Sequence, residues 1–176
     1  MPEGARVLLF TGDGKGKTTA ALGLAVRAAG HGMRVCFIQF VKDRAVSTGE
    51  SDFIGQCSSI DLIRSGLGRI PPEEDPDFAT HVAAAEEGLK RAREAILSGT
   101  YGMVVLDEAC IAIERGALSA SQVCFLVDMA DKDGIIVITG RNAPPELIAV
   151  SDTVTEMCSV KHAFCSGRPA QAGVEC

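Results

Sequence analysis

VLLFTGDGKGKT, residues 7–18, joins a short apolar run to a glycine-rich loop. The run at 7–10 is continuously apolar, which is typical of a strand buried on both faces. Glycines then recur at every second position, and the stretch ends in Lys17 and Thr18. Glycines allow backbone N–H groups to turn toward an anion, and a helix that starts after the loop adds its positive N-terminus. The stretch therefore predicts a strand, a phosphate-binding loop and a helix in direct succession.

The loop follows the P-loop pattern G-x-x-x-x-G-K-[ST] except at the first position, where Thr11 replaces glycine. Lys17 and Lys15 supply cations, and Thr18 offers a hydroxyl to Mg²⁺. We interpret the loop as a nucleotide site rather than a turn without a ligand, because Gly-Lys-Thr opens a helix directly after a buried strand. The residues expected to bind the polyphosphate are Gly12, Asp13, Gly14, Lys15, Gly16, Lys17, Thr18 and Thr19.

Further apolar runs predict more strands of the same buried kind. The clear runs are residues 35–38, 103–106 and 135–138, and the weaker candidates are 60–63 and 153–157. Helical spacing of apolar residues predicts helices at 18–29, at 77–97 and from a cap at Ser119 or Ser121. We expect loops at 42–59 and 65–76, which are candidates for shaping a second substrate's site.

Strands and helices thus alternate along the chain, which indicates an α/β fold. We predict a single domain over residues 1–176, P-loop NTPase-like (RecA-like), with a doubly wound, mainly parallel sheet and helices on both faces. A chain of 176 residues is long enough to bury one core and too short for a second large domain.

Ligands of open parallel sheets bind beyond the carboxyl ends of the strands, so the residues after each apolar run are informative. The run at 103–106 leads into Asp107 and Glu108, which resembles a Walker B end with a carboxylate placed for Mg²⁺. The runs at 35–38 and 135–138 lead into Gln39 and Thr139. Two arginines are candidates to neutralise phosphate: Arg141, after the run at 135–138, and Arg27, within the first predicted helix. A purely structural role is equally compatible with each of them.

Composition argues against several classes of partner and site. The net charge of −6, the absence of Trp and the single Tyr argue against nucleic acid. Seven cysteines without a C-x-x-C pair and three histidines without metal-ligand spacing predict free thiols and no zinc site. Neither a signal-peptide pattern nor a bilayer-length apolar run is present in the sequence, so we expect a cytoplasmic protein without a membrane partner.

The run at 10–32 closely resembles the ATP:corrinoid adenosyltransferases of the P-loop type. Further blocks follow in the order found in that family: QFVK at 39–42, VVLDE at 104–108, ITGR at 138–141, VKHAF at 160–164 and AQAG at 170–173. The resemblance covers nearly the whole chain. Thr11, at the position of the first glycine, is itself a trait of this family.

The resemblance implies transfer of the 5′-deoxyadenosyl group of ATP to Co(I) of a reduced corrinoid, with release of triphosphate. The corrinoid would be cobalamin or a precursor such as cob(I)yrinic acid a,c-diamide. It further implies that residues 12–18 hold the triphosphate, that Lys15, Lys17 and Glu108 act in catalysis, and that Thr18 and Glu108 bind Mg²⁺. Arg27 and Arg141 would assist the nucleotide. A homodimer, ATP bound in reverse of ordinary P-loop enzymes and a flavoprotein electron donor are also implied.

One family block differs in this chain. Members typically carry Gly-Phe-Thr-Trp, and the aromatic residues of that block are associated with displacing the lower axial ligand of cobalt. This chain has Leu67 and Arg69 at those positions. The resemblance then implies either other apolar groups for that step or a corrinoid that lacks the lower base.

The residues by themselves leave two rivals open. A P-loop kinase or ATPase would use the same loop to cleave at the γ-phosphate, and a non-catalytic module would bind nucleotide without turnover. Adenosyl transfer suits the motifs because Co(I) is already a strong nucleophile. The protein then needs only to align C5′ with cobalt and stabilise the leaving polyphosphate, and no general base is obvious in the motifs.

Overall fold

The structure is a computed structural model that describes residues 4–43, 45, 48–163 and 167–174. The strands are β1 Arg6–Thr11, β2 Val35–Gln39, β3 Ile60–Arg64, β4 Met103–Asp107, β5 Ile135–Thr139 and β6 Thr153–Glu156. The helices are α1 Lys17–Gly30, α2 Gly49–Ile54, α3 Phe78–Leu97, α4 Ala109–Glu114, α5 Ala120–Asp128 and α6 Pro145–Val150. Within these ranges, no helix combines the length and the apolar character needed to cross a membrane.

The strands form one sheet in the order β3-β2-β4-β5-β1-β6, and every neighbouring pair is parallel. All of the predicted strands are confirmed, including the weaker candidates, although β6 ends at Glu156. The order places β5 between β1 and β4. Because all three strands run in the same direction, the phosphate loop after β1 and the acidic pair after β4 lie at the same edge of the sheet, one strand apart.

Helices cover both faces of the sheet, which confirms the predicted doubly wound α/β fold. Alternate strand residues such as Val7 and Leu9 pack with α3, α4, α5 and α6, whereas Leu8 and Phe10 pack on the side of α1 and α2. The fully buried residues of helix α1 are all alanines, namely Ala21, Ala25 and Ala28. Such small side chains bring the helix axis close to the sheet, so the N-terminus of α1 is firmly placed beside the strand ends.

The long helices follow the prediction closely. Helix α3 begins one residue after the predicted start and ends at Leu97 as expected. Helix α5 is capped by Ser119, whose Oγ accepts from the backbone N–H of Gln122 at 3.3 Å. This bond satisfies one of the free N–H groups of the first turn. The helix cap is therefore Ser119 and not Ser121, the other serine that the sequence allowed.

The predicted loop at 42–59 is wrong in one respect, because α2 lies inside it. This helix spans only 6 residues, too few for helical periodicity to show in the sequence. Tertiary contact stabilises it, since α2 contacts β3 and Ile54 is buried in the core cluster on the α1 side of the sheet. Two other helices of 6 residues, α4 and α6, escaped prediction for the same reason. The loop at 65–76 is confirmed.

The described cysteines are free thiols in contrasting environments. Cys36 in β2 and Cys110 in α4 are buried, and burial raises the pKa of each thiol to about 12. Cys158 is exposed just after β6. Cys165 and Cys176, which the sequence also predicted to be free, lie outside the described residues.

We expect alkylation of the native protein at pH 8 to modify Cys158 and to spare Cys36 and Cys110. The thiolate is the reactive species, and burial disfavours it at both core positions. Peptide mass mapping after iodoacetamide treatment, with and without urea, measures this. Equal modification of Cys36 and Cys158 in the folded protein would show that the β2 core is not closed.

Candidate nucleotide site

The glycine-rich loop is packed against the end of β6. The backbone N–H of Gly14 donates to the carbonyl of Met157 at 2.6 Å, and the Met157 N–H donates to the carbonyl of Thr11 at 2.8 Å. A Cβ atom on Gly12 would lie 2.5 Å from the Met157 oxygen, and one on Gly14 would lie 2.6 Å from it. Any larger residue would push the loop away from β6, so packing alone requires glycine at these two positions.

Lys17 lies across this loop. Its Nζ donates to the carbonyl oxygens of Gly12 at 2.6 Å and Gly14 at 2.7 Å. Partial burial lowers the pKa of Lys17, and the nearby Arg141 lowers it further. Two of the three ammonium protons are used in these bonds, which leaves one donor for a phosphate oxygen.

Asp107 connects the strand ends of the site. The residue is fully buried, and its Oδ1 accepts from the hydroxyls of Thr18 at 2.9 Å and Thr139 at 2.8 Å. Its Oδ2 accepts from Nε2 of Gln39 at 3.1 Å. Burial raises the pKa of this carboxyl, and the three hydrogen bonds oppose that effect. One carboxylate thus joins β2, β4, β5 and the first turn of α1.

Glu108 follows Asp107 and lines the cavity. Its φ of 61° lies in the left-handed region, which non-glycine residues adopt rarely and most often at functional sites. The backbone N–H of Glu108 donates to the hydroxyl of Thr139 at 2.9 Å, which fixes this turn. Burial, together with the charge of Asp107, raises the pKa of Glu108 to about 6. Two adjacent carboxylates are therefore held where a cation would relieve their repulsion.

These groups surround a cavity of about 600 Å³ at the carboxyl edge of the sheet. That volume is within the range of about 300–1,000 Å³ found for small-molecule sites. Arg27 is not among the residues that line it, since it lies exposed in the last turn of α1, and its role stays a prediction. Gly12 lies at the base of the loop, where its carbonyl accepts from Lys17. The predicted residues that line the cavity are Asp13, Gly14, Lys15, Gly16, Lys17, Thr18, Thr19, Glu108 and Arg141.

The cavity also contains residues to which the sequence analysis gave no role. Lys42 and Glu50 line it and form an ion pair that joins the segment after β2 to α2. Burial alone would raise the pKa of Glu50, but the hydrogen bond and charge of Lys42 bring it below the ordinary value. Lys42 occurs in the QFVK block, so the sequence did indicate a possible role for it. Nothing in the sequence indicated a role for Glu50, because its helix was not predicted.

The C-terminal segment supplies another part of the wall. His162, one of the three histidines that lack metal-ligand spacing in the sequence, lines the cavity together with Gly173 and Val174. These residues come after β6, whose end already supports the phosphate loop. Phe164, from the same sequence block as His162, lies outside the described residues.

The donor set fits Mg²⁺. Thr18 and Glu108 line the cavity and offer oxygen atoms, which this ion prefers, and the Thr18 hydroxyl is held by Asp107. Magnesium in nucleotide sites is held by one or two carboxylates plus substrate phosphates rather than by a closed protein cage. In the described part of the chain, no group of three or more His, Cys, Asp or Glu could hold a metal ion.

We expect Thr139→Val to lower the free energy of unfolding by about 1–3 kcal/mol, because it removes one of the three donors to Asp107 and leaves the Glu108 N–H without its acceptor. Thr139→Ser keeps the hydroxyl and removes one methyl group, so its loss should be about 1 kcal/mol or less. Urea titrations of both variants provide the comparison. If the valine variant is as stable as the serine variant, the Thr139 hydroxyl contributes nothing to this cluster.

Comparison with known proteins identifies the family. The model of the ATP:corrinoid adenosyltransferase BtuR/CobO/CobP family matches residues 3–176. A corrinoid adenosyltransferase of Pseudomonas aeruginosa is 40% identical over 169 residues, which are 96% of this chain and 82% of that protein. One from Sinorhizobium is 39% identical over 170 residues, with coverage of 96% and 79%. A third, from Escherichia coli strain K12, is 32% identical over 170 residues, with coverage of 96% and 84%. The chain therefore belongs to the ATP:corrinoid adenosyltransferase family.

Proposed function

We propose that this protein transfers the 5′-deoxyadenosyl group of ATP to Co(I) of a corrinoid and releases inorganic triphosphate. The observation that carries the proposal is a phosphate loop that opens, beside Glu108, into one cavity, in a chain that matches the family from residue 3 to residue 176. The cobalt electron pair forms the bond to C5′. The C5′–O bond breaks, and its electron pair leaves with the triphosphate.

The charges around the cavity suit this leaving group. Lys15, Lys17, Lys42 and Arg141 all line it, and the N-terminus of α1 points toward the loop. Catalysis by fixed charges is most effective where charge develops in the transition state, and here that is the departing polyphosphate. Lys42 adds to the cations that the sequence analysis had assigned, and its ion pair with Glu50 holds it in place before the nucleotide arrives.

We include Mg²⁺ in the proposal. Thr18 and Glu108 would hold the ion beside the phosphates, and Asp107 would orient the Thr18 hydroxyl through their 2.9 Å hydrogen bond. When bound, the ion neutralises charge on the triphosphate. Asp107 is fully buried and already accepts three hydrogen bonds, so Glu108 is the more accessible carboxylate of the pair.

The corrinoid would approach from outside the nucleotide cavity. The backbone N–H of Gly68 donates to the carbonyl of Val41 at 2.8 Å, which holds the loop at 65–76 beside the segment that carries Lys42. Leu67, where family members carry an aromatic residue, is partly exposed on this loop. This position supports a role for the loop in recognising the corrinoid, whether cobalamin or a precursor such as cob(I)yrinic acid a,c-diamide. The alternatives for the lower ligand remain other apolar groups or a corrinoid that lacks the lower base.

The remaining parts of the proposal rest on the family resemblance. We infer a cytoplasmic homodimer that binds ATP in reverse of ordinary P-loop enzymes, so that C5′ faces the corrinoid. A flavoprotein would supply the electrons that generate Co(I). Arg27 would assist the nucleotide. It lies exposed in the last turn of α1 and does not line the cavity that a single chain forms.

Turnover should yield inorganic triphosphate matched one to one with adenosylcorrinoid, and little ADP should form when the corrinoid is omitted. Attack at carbon leaves the three phosphates joined, whereas attack at the γ-phosphorus gives ADP. Phosphorus NMR of a reaction with ATP and chemically reduced corrinoid distinguishes the two. Lys17→Ala is the control, and it should abolish both products of transfer together. Stoichiometric ADP and orthophosphate without triphosphate would favour the ATPase interpretation, and binding without turnover would favour the non-catalytic module.

Glu108→Gln should raise the Mg²⁺ concentration needed for half-maximal activity by at least roughly tenfold. Mutation of a residue that only hydrogen-bonds a metal ligand already weakens metal affinity by about that factor, and Glu108 would be a ligand itself. Asp107→Asn should shift the Mg²⁺ requirement less. Its main expected effect is on stability, because an amide would face the donor groups of Gln39 and two threonines. Magnesium titrations on protein shown to be folded by circular dichroism test the ranking. The reverse ranking would assign the metal to Asp107.

A further inference from the structure

Helix α2 carries an aromatic ring into the cavity. Phe53 lines the cavity and is 52% exposed, which is unusual for a phenylalanine. Its neighbour Ile54 is buried in the core cluster on the α1 side of the sheet, so Ile54 faces inward while Phe53 lines the cavity. Within the described part of the chain, Phe53 is the one residue with a phenyl ring that lines this cavity.

The ring lies in the apolar part of a cavity whose other part binds phosphate. Leu22 lies one turn beyond the phosphate loop on α1, lines the cavity, and packs partly against the same cluster that buries Ile54. Leu22 and Phe53 both line the cavity, so its wall includes apolar side chains as well as charged ones. A strongly hydrated polyphosphate gains little from such a wall, whereas the flat face of a base gains from stacking on an aromatic ring.

We propose that Phe53 contacts the adenine base of the bound nucleotide by stacking on its face. This inference rests on the proposed function, because it takes the nucleotide to be held by the phosphate loop. The cavity of about 600 Å³ has the size of a single small-molecule site, so its interior wall meets the nucleotide rather than the corrinoid. The Lys42–Glu50 ion pair ties α2 to the segment after β2 and places the ring before the ligand binds.

Removal of the ring should weaken ATP binding and spare triphosphate binding. We expect Phe53→Ala to weaken the affinity for ATP about tenfold, as expected for loss of one base–aromatic stack, and to leave that for inorganic triphosphate within about twofold. Isothermal titration calorimetry with each ligand and Mg²⁺ gives both values. Phe125→Ala is the matched control, since Phe125 is similarly exposed at 58% but lies on α5, away from the cavity lining. It should change neither affinity.

Conservative variants separate stacking from a structural role of α2. Phe53→Tyr keeps the ring and should keep the ATP affinity, whereas Phe53→Leu keeps apolar volume without a ring face and should weaken it. The chain contains no tryptophan, so Phe53→Trp creates a single fluorescent reporter. Its emission should change on addition of ATP and stay unchanged with inorganic triphosphate. Phe125→Trp should respond to neither ligand.

Three outcomes would overturn the proposal. Equal loss of ATP and triphosphate affinity in Phe53→Ala would show that the residue only supports the fold of the site. Unchanged ATP affinity with a raised KM for the corrinoid would assign the ring to the other substrate. Unchanged values for all three ligands would leave Phe53 without a binding role. Failure of the unmodified protein to bind ATP would instead contradict the proposed function itself, so the two failures are distinguishable.

Discussion

The buried carboxylate of Asp107 is the interaction on which the site depends. It lies at the end of β4 without solvent contact and accepts hydrogen bonds from Thr18, Gln39 and Thr139. A buried charge is stable only when such partners surround it. The arrangement therefore couples three strand ends to the first turn of α1, and a change in any of these partners would be felt by the phosphate loop and by Glu108.

The cavity lining has a different balance of charge from the chain as a whole. The chain carries −6, whereas the lining contains four cations (Lys15, Lys17, Lys42 and Arg141) and three carboxylates (Asp13, Glu50 and Glu108). A polyphosphate within the cavity experiences these cations at short range, whereas the acidic surface is screened by water and salt. The negative total still disfavours long polyanions, which would contact much more of the surface than a nucleotide does.

Short elements complete the walls of the cavity. The phosphate loop and Glu108 come from the main sheet, but Glu50 and Phe53 come from the 6-residue helix α2, and His162 comes from the segment after β6. In the proposed function, groups at the edge of the sheet would hold the polyphosphate. The short helix and the C-terminal segment would supply the surfaces that recognise what the polyphosphate is attached to.

The sequence by itself determined the class of fold, the six strands, the long helices and the phosphate loop, because buried strands, amphipathic helices and glycine-rich turns each leave a local pattern. It also indicated Asp107 and Glu108 from their position after an apolar run. Only the tertiary structure decided that Gln39 and Thr139 hold Asp107, that Arg27 lies away from the cavity, and that Lys42, Glu50, Phe53 and His162 line it. The physical reason is that these contacts join residues far apart in the chain, as between Thr18 and Asp107, 89 positions apart, and no local pattern encodes such a distance. Helix α2 is the same case, since burial of Ile54 in the core stabilises a segment too short to show its own periodicity.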